Sequence, residues 1–216
     1  MALDPESRLV VSLVVGKRTA EATHALVRDF RRRTGDRVMR LMTSDEYPVY
    51  AEAIRDAYGR VVVPPRTGRP GRPRKPYTAV PPAVTYATVH KQKENNRVVR
   101  VSTRVVFGTD AAVAVAVAAS AVGRVVNTSF VERHNATDRN RCSRKVRKSY
   151  AFSKDWAVHR AATAFSNFCW PVRTLRVKGE NRRWQKRTPA MAAGLTDHVW
   201  SVAEWLAYPA RHVQRK

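Results

Sequence analysis

Residues 64–82, PPRTGRPGRPRKPYTAVPP, limit the possible folds of this chain more than any other stretch. They hold seven of its twelve prolines, five basic residues and no acid. Proline fixes φ and offers no backbone N–H, so no regular element is expected to run through them. The stretch reads as an exposed basic loop, and the expected organisation is one core whose first part is 1–63, the loop over 64–82, and the remainder of the same core over 83–216.

Before the loop the pattern is strand, helix, strand, helix. RLVVSLVVGKR is an apolar, β-branched run of the kind expected in a strand covered on both faces, and LDPES before it reads as a turn. From Thr19 to Arg33, Ala22, Ala25, Leu26 and Phe30 recur at helical spacing, and the helix should end near Gly35. DRVMRLM predicts a short strand, VYAEAIRDAYG a helix closed by Gly59, and RVVV at 60–63 one more strand. After the loop, AVTYATVH and RVVRVSTRVVF flank KENN, a hairpin offering Arg97, Arg100 and Arg104 to solvent. AAVAVAVAAS alternates like a strand, but its alanines and the cap offered by Thr109 and Asp110 favour a helix. A long helix is expected from TSFVERHN into RNRCSRKVRK, another after Ser153, and a last one capped at Thr196 with Val199, Val202, Ala203 and Leu206 facing inward.

Charge narrows the function classes. With 41 Lys and Arg against 17 Asp and Glu the chain carries a formal net charge of +24, a field that attracts a polyanion, nucleic acid first. The 44% of apolar residues suffices for a packed core. Cys142 and Cys169 have no paired spacing, which argues against a disulfide framework or a zinc site and fits a reducing compartment. The longest nearly uncharged apolar run, Ala111 to Val122, is too short to span a bilayer. The expectation is a cytoplasmic protein with no membrane partner.

Two acids sit where a strand gives way to a helix or where a helix begins, Asp45 and Glu132, and open α/β sheets tend to hold ligands there. Asp45 also suits the cap of a helix starting at Glu46. Ser129 and Glu132 fit a capping box. Yet Glu132 lies among Arg133, Arg139, Arg141, Arg144, Lys145, Arg147 and Lys148, where a carboxylate weakens a DNA-binding face unless a cation needs it. Phosphoryl transfer supplies that need, because carboxylates carry divalent ions to the scissile phosphate.

TSDEYPVYAEAIRDAYG, NTSFVERHNATDRNRCSRKVRKSYAFSKDWAVH and TPAMAAGLTDHVWSVAEWL resemble the DDE transposases of bacterial insertion sequences, specifically the insertion-sequence-one family. NTSFVERHN is the most specific part of a likeness that covers nearly the whole chain. The resemblance implies an α/β fold: a ribonuclease-H-like mixed sheet flanked by helices, its first strand missing, with an inserted β-hairpin and a basic loop. It also implies Mg²⁺-dependent DNA strand cleavage and transfer, with two Mg²⁺ ions (or Mn²⁺) held by three acids. Asp45 and Glu132 match the second and third. The first would lie upstream of the turn matching ALDPES, so the chain is expected to be a distal part of such an enzyme, or a non-catalytic DNA-binding remnant or regulator derived from one. Asp4, in a turn before Pro5, is a poor substitute. The partners implied are transposon ends and target DNA, with a homo-oligomer or an upstream transposase segment as further options. DNA contacts are expected from Arg133, His134, Asn135, Arg139, Arg141, Arg144, Lys145, Arg147 and Lys148.

RPGRPRKP at 69–76 is similar to an AT-hook in an altered register, which would put Arg69 and Arg72 in a narrow minor groove. A solvated basic linker fits equally and would still add phosphate contacts. The five tryptophans, Trp156, Trp170, Trp184, Trp200 and Trp205, read as core, since most lie on or beside amphipathic helices. A basic ribosomal or RNA-packaging protein accounts for the charge as well, and predicts that Asp45 and Glu132 do not meet.

Overall fold

The computed structural model describes residues 1–65, 74–95, 97–146, 148–179 and 181–208. The chain divides into two compact units, the first made of residues 16–132 with Met1 and the second of residues 2–15 with 133–216. Arg69, Arg72 and Arg147 lie outside the described residues.

The first unit is mixed α/β. Helix α1 (Ala20–Arg33) starts where Thr19 accepts from the Ala22 amide, and three arginines in its last turn suit the negative end of the helix dipole. Helix α2 (Val49–Tyr58) buries Ala53, Ile54, Ala57 and Tyr58, a helical stripe that packs on α1. Together with Val27, Val84 and Tyr86 these residues form the core. Strand β3 (Met42–Asp45) runs parallel to β6 (Tyr86–Glu94), which pairs antiparallel with β7 (Arg97–Phe107), giving the sheet order β3-β6-β7. Helix α3 (Asp110–Ala118) is capped by Thr109, so helix prevails over the strand-like alternation of its sequence.

The strand predicted from DRVMRLM begins only at the last residue of that run, Met42. The buried run Tyr86–Val89 registers with Met42–Asp45, and that pairing outweighs the propensity of the upstream valine and methionines. The proline-rich stretch also holds a strand. Between Pro76 and Pro81 there is room for β5 (Tyr77–Ala79), which pairs antiparallel with β4 (Arg60–Val62). Gly59 makes this junction possible, because a Cβ there would collide with the Arg55 carbonyl oxygen and with Thr78 Cγ2. Gly59→Ala is therefore expected to destabilise the first unit by about 1–3 kcal/mol through overpacking, measured as a lowered midpoint of thermal unfolding.

In the second unit a hairpin, β1 (Ala2–Leu3) with β2 (Val10–Ser12), is closed by a turn in which the Asp4 carboxylate accepts from the amides of Glu6 and Ser7, both at 3.1 Å, and from the Ser7 hydroxyl. RLVVSLVV thus yields only a three-residue strand. Asn167, on helix α5 (Trp156–Phe168), binds the Val10 backbone on both its N–H and its C=O. Aromatic rings pack beside α5: Phe168 on Trp200 with centroids 4.6 Å apart, Trp200 on Tyr208 at 5.1 Å, and Phe165 on Trp205 at 5.5 Å.

The last predicted helix is two short ones. Helix α6 (Pro189–Ala192) is capped by Thr188. Helix α7 (Val202–Ala207) is capped by Ser201 in a full capping box with Glu204. Thr196 instead accepts from the Trp200 indole N–H at 3.0 Å, and Val199, Val202 and Leu206 are exposed. Glycine at 194 and the TDHV run after it interrupt the helical hydrogen bonding on which one continuous helix would depend.

The capping box is pH-sensitive. The Ser201 N–H, and then His198, hold the Glu204 carboxyl down at about 2. Asp197 and Glu204 hold the His198 imidazole above its ordinary 6.5. Glu204 stabilises the cap above its unfolded value of 4.5 and loses this as pH falls toward 2; His198 stabilises it below 6.5 and loses this as pH rises through its raised value. The α7 cap is expected to be firmest between those two unfolded values, which NMR titration of the Glu204 carboxyl and the His198 ring can check.

Candidate nucleic-acid interface and acidic site

Both acids singled out by sequence reach one end of the first unit's sheet. Asp45 is the last residue of β3 and pairs in register with Val89 of β6. Its two carboxylate oxygens accept from Arg18 Nη2 at 2.7 and 2.8 Å, and the Arg18 guanidinium also lies 4.3 Å over the Tyr47 ring. It caps no helix, since α2 begins only at Val49. Glu132 stands in the first turn of α4 (Ser129–Arg141), where its Oε1 accepts from Lys91 Nζ at 2.5 Å and from the Thr128 hydroxyl at 2.9 Å. Lys91 lies two residues beyond Val89 on β6, which brings both acids to neighbouring positions on that strand. The Lys91 ammonium holds the Glu132 carboxyl below its ordinary range, with partial burial opposing it. The Ser129 capping box does not form, because Asn127 Oδ1 accepts from the Ser129 amide and hydroxyl. Next to Asp45, Glu46 pairs with the His90 ring.

These acids do not fit a two-magnesium site as they stand. Each faces its own cation, and among the described residues no group of three or more His, Cys, Asp or Glu side chains could hold a metal ion. Two closely spaced divalent ions need several carboxylate oxygens to offset their mutual repulsion. Asp4 is engaged in its own turn. Neither Arg18 nor Lys91 stands out in the sequence. Arg18 sits in a coil 27 residues from its acid, and Lys91 reads as an ordinary polar position of an alternating strand.

The cationic residues separate into two groups. β3 pairs only with Tyr86–Val89, so the remainder of β6 and its partners on β7 extend past the three-stranded sheet as a two-stranded ribbon. Along it Lys93, Arg97 and Arg100 are exposed, and Arg104, opposite Thr88 within the three-stranded part, is exposed as well, as predicted for the three arginines. A ribbon of this kind fits the major groove of DNA.

The predicted basic helix is shorter than expected. α4 ends at Arg141, a single 3-10 turn follows over Ser143–Lys145, and Lys148 has φ of 58°. Arg133, Arg139, Arg141, Arg144 and Lys148 are exposed, and no residue of α4 is buried. His134 and Asn135 are half-buried, and burial pushes the His134 imidazole down, so it adds no charge near neutral pH. Lys145 has a different task from the DNA binding expected of it. It is 7% exposed, with Nζ 2.6 Å from Asp138 Oδ2 and 3.5 Å from the Thr163 hydroxyl.

The tryptophans also divide. Trp200 and Trp205 join the aromatic cluster beside α5, and Trp170 lies 6.2 Å from Phe165 while the Arg141 guanidinium covers it at 4.4 Å. Trp156, Trp170 and Trp184 are 42%, 41% and 53% exposed, contrary to the core role expected of them. Among the described residues no helix is long and apolar enough to cross a membrane. No family model, curated protein or solved structure matches the chain.

Proposed function

We propose that this protein is a DNA-binding member of the DDE transposase class, with a ribonuclease-H-like core, that in the form described here grips DNA without cutting it. The observation carrying this reading is the β6–β7 hairpin, which exposes Lys93, Arg97 and Arg100 on its two-stranded extension and Arg104 beside Thr88. The exposed arginines of α4 add a second basic element, and the net charge of +24 supplies long-range attraction. Cations on a preformed ribbon lose little conformational freedom when they meet phosphates.

If the complex engages six to ten phosphates, affinity for duplex DNA should fall roughly 10³- to 10⁵-fold between 50 and 200 mM salt. Fluorescence anisotropy at several salt concentrations tests this, and a flat salt profile would remove DNA from consideration. The arm variant Arg97→Ala/Arg100→Ala/Arg104→Ala should flatten the slope by about 2.7, at roughly 0.9 for each phosphate no longer neutralised.

A second reading, the active strand-transfer enzyme, is favoured by one observation: Asp45 and Glu132 both reach β6, opposite Val89 and on Lys91. On the first reading, supercoiled plasmid incubated with the protein and Mg²⁺ or Mn²⁺ stays intact. Nicking that disappears in Glu132→Gln while affinity is retained would establish the second.

A further inference from the structure

Strands β8 (Val177–Lys178) and β9 (Trp184–Gln185) form a small hairpin in the second unit. Its turn is tightly bonded: the Gly179 amide donates to the Arg183 carbonyl at 2.9 Å, the Arg182 amide to the Gly179 carbonyl at 2.9 Å, and the Arg183 amide to Asn181 Oδ1 at 3.0 Å. A Cβ at Gly179 would lie 2.5 Å from Gln185 Nε2, so glycine lets the two arms close. Arg176, Lys178, Arg182, Arg183 and Lys186 are all exposed, and among the described residues none of them pairs with a carboxylate. In their midst Trp184 faces Lys178 across the strands and is 53% exposed.

An indole left this far in water contributes little to the core, while Trp200 and Trp205 of the same unit pack among aromatic rings. Trp184 is nevertheless held in place. The Arg176 guanidinium lies 4.3 Å over its ring and the Lys178 ammonium 5.7 Å from the centroid, which fixes the ring's orientation. Beside it, Lys178, Gly179, Asn181 and Gln185 line an open concavity of about 440 Å³. A partly exposed indole, with Arg176 over its ring and further cations around it that pair with no carboxylate among the described residues, meets the requirements for binding unpaired nucleotides: a surface for one base to stack on, positive charge for the flanking phosphates, and hydrogen-bonding groups nearby. Base pairs within a duplex have their faces already stacked and cannot use it. An anionic lipid surface also attracts cations, but it calls for a broader apolar face than one tryptophan among five cations provides.

We infer that the β8–β9 hairpin is a stacking platform for an unpaired base of single-stranded DNA, with Trp184 as the stacking ring and the surrounding Arg and Lys side chains gripping the strand. This rests on the DNA-binding reading above and specifies which form of DNA this element takes.

The test compares the full chain with Trp184→Ala, Trp184→Leu and Trp184→Phe, measuring anisotropy with a labelled oligothymidylate and with a duplex. Trp184→Ala and Trp184→Leu are expected to weaken oligothymidylate binding roughly 5- to 150-fold, the loss of one stacked base, and to leave duplex affinity unchanged. Trp184→Phe, which keeps a ring, should retain most of the binding. Leucine keeps apolar bulk without a π face, so if the alanine variant proves unfolded by circular dichroism, the leucine and phenylalanine pair still decides the matter. Equal losses on both DNAs, or no loss on the single strand, would overturn the platform and leave the DNA-binding reading standing. Failure of the wild type to bind either DNA would remove that reading and the platform with it. Weakened binding of Trp184→Leu to phosphatidylserine vesicles, with oligothymidylate binding intact, would reassign the hairpin to lipid.

Discussion

Lys145→Ala is expected to lower the stability of the second unit by roughly 3–5 kcal/mol, the cost typical of removing one partner from a buried ion pair. The Lys145 and Asp138 side chains are only 6% and 16% exposed, and the ammonium joins the C-terminal half of α4 to Thr163 of α5. Once the lysine is gone, the Asp138 carboxylate remains in poor solvent with no opposing charge. Replacing both charges, as in Asp138→Leu/Lys145→Met, should restore most of the loss, because packed apolar side chains avoid the desolvation of two ions. Lys145→Arg should not, since the guanidinium is larger and its planar fork does not reproduce the reach of an ammonium. Urea midpoints of the single and double variants measure this. A change within about 0.5 kcal/mol for Lys145→Ala, the range of ordinary surface substitutions, would mean that the lysine is solvated and free to meet phosphate after all.

The second large effect is expected at Asn167. Its side-chain amide accepts from the Val10 N–H at 3.2 Å and donates to the Val10 C=O at 3.0 Å, both residues being buried. It serves β2 as a neighbouring strand would. Asn167→Ala orphans a buried donor and a buried acceptor, at about 1–3 kcal/mol each, so a total loss of roughly 2–6 kcal/mol is expected. Asn167→Asp keeps an acceptor for the Val10 N–H but cannot donate to the carbonyl, and it buries a charge, so it should not rescue. Native-state hydrogen exchange offers a local check: the Val10 amide should lose its protection in the alanine variant before the first unit is affected.

What the sequence makes legible is what depends on near neighbours. α1 follows from Thr19 as its cap and from the spacing of Ala22, Ala25, Leu26 and Phe30, and α3 follows from Thr109. The arginine-bearing hairpin follows from alternation around a turn. What stays hidden depends on partners distant in sequence. The position of β3 is set by a strand more than forty residues away, and the end of α4 comes seven residues before Lys148. Asp45 and Glu132 can be singled out because acids are scarce in this chain, whereas the cations that occupy them, Arg18 and Lys91, look like dozens of others. Lys145 misleads for the same reason: a lysine in a basic run reads as solvated until its partner is known. Trp184 misleads in the opposite direction, because its residue type argues for burial and only the β8–β9 hairpin leaves it outside.

The two bonds between Val10 and Asn167 span 157 residues of chain. During synthesis at roughly 5–20 residues per second, β2 is therefore made about 8–30 s before its side-chain partner exists. For that interval a short apolar strand has an unanswered edge in a nascent chain, and residues 16–132 of the first unit are completed before Asn167 is. The β2 edge is therefore completed only after the first unit's residues have been made, so a pause in synthesis between residues 133 and 167 lengthens its exposure.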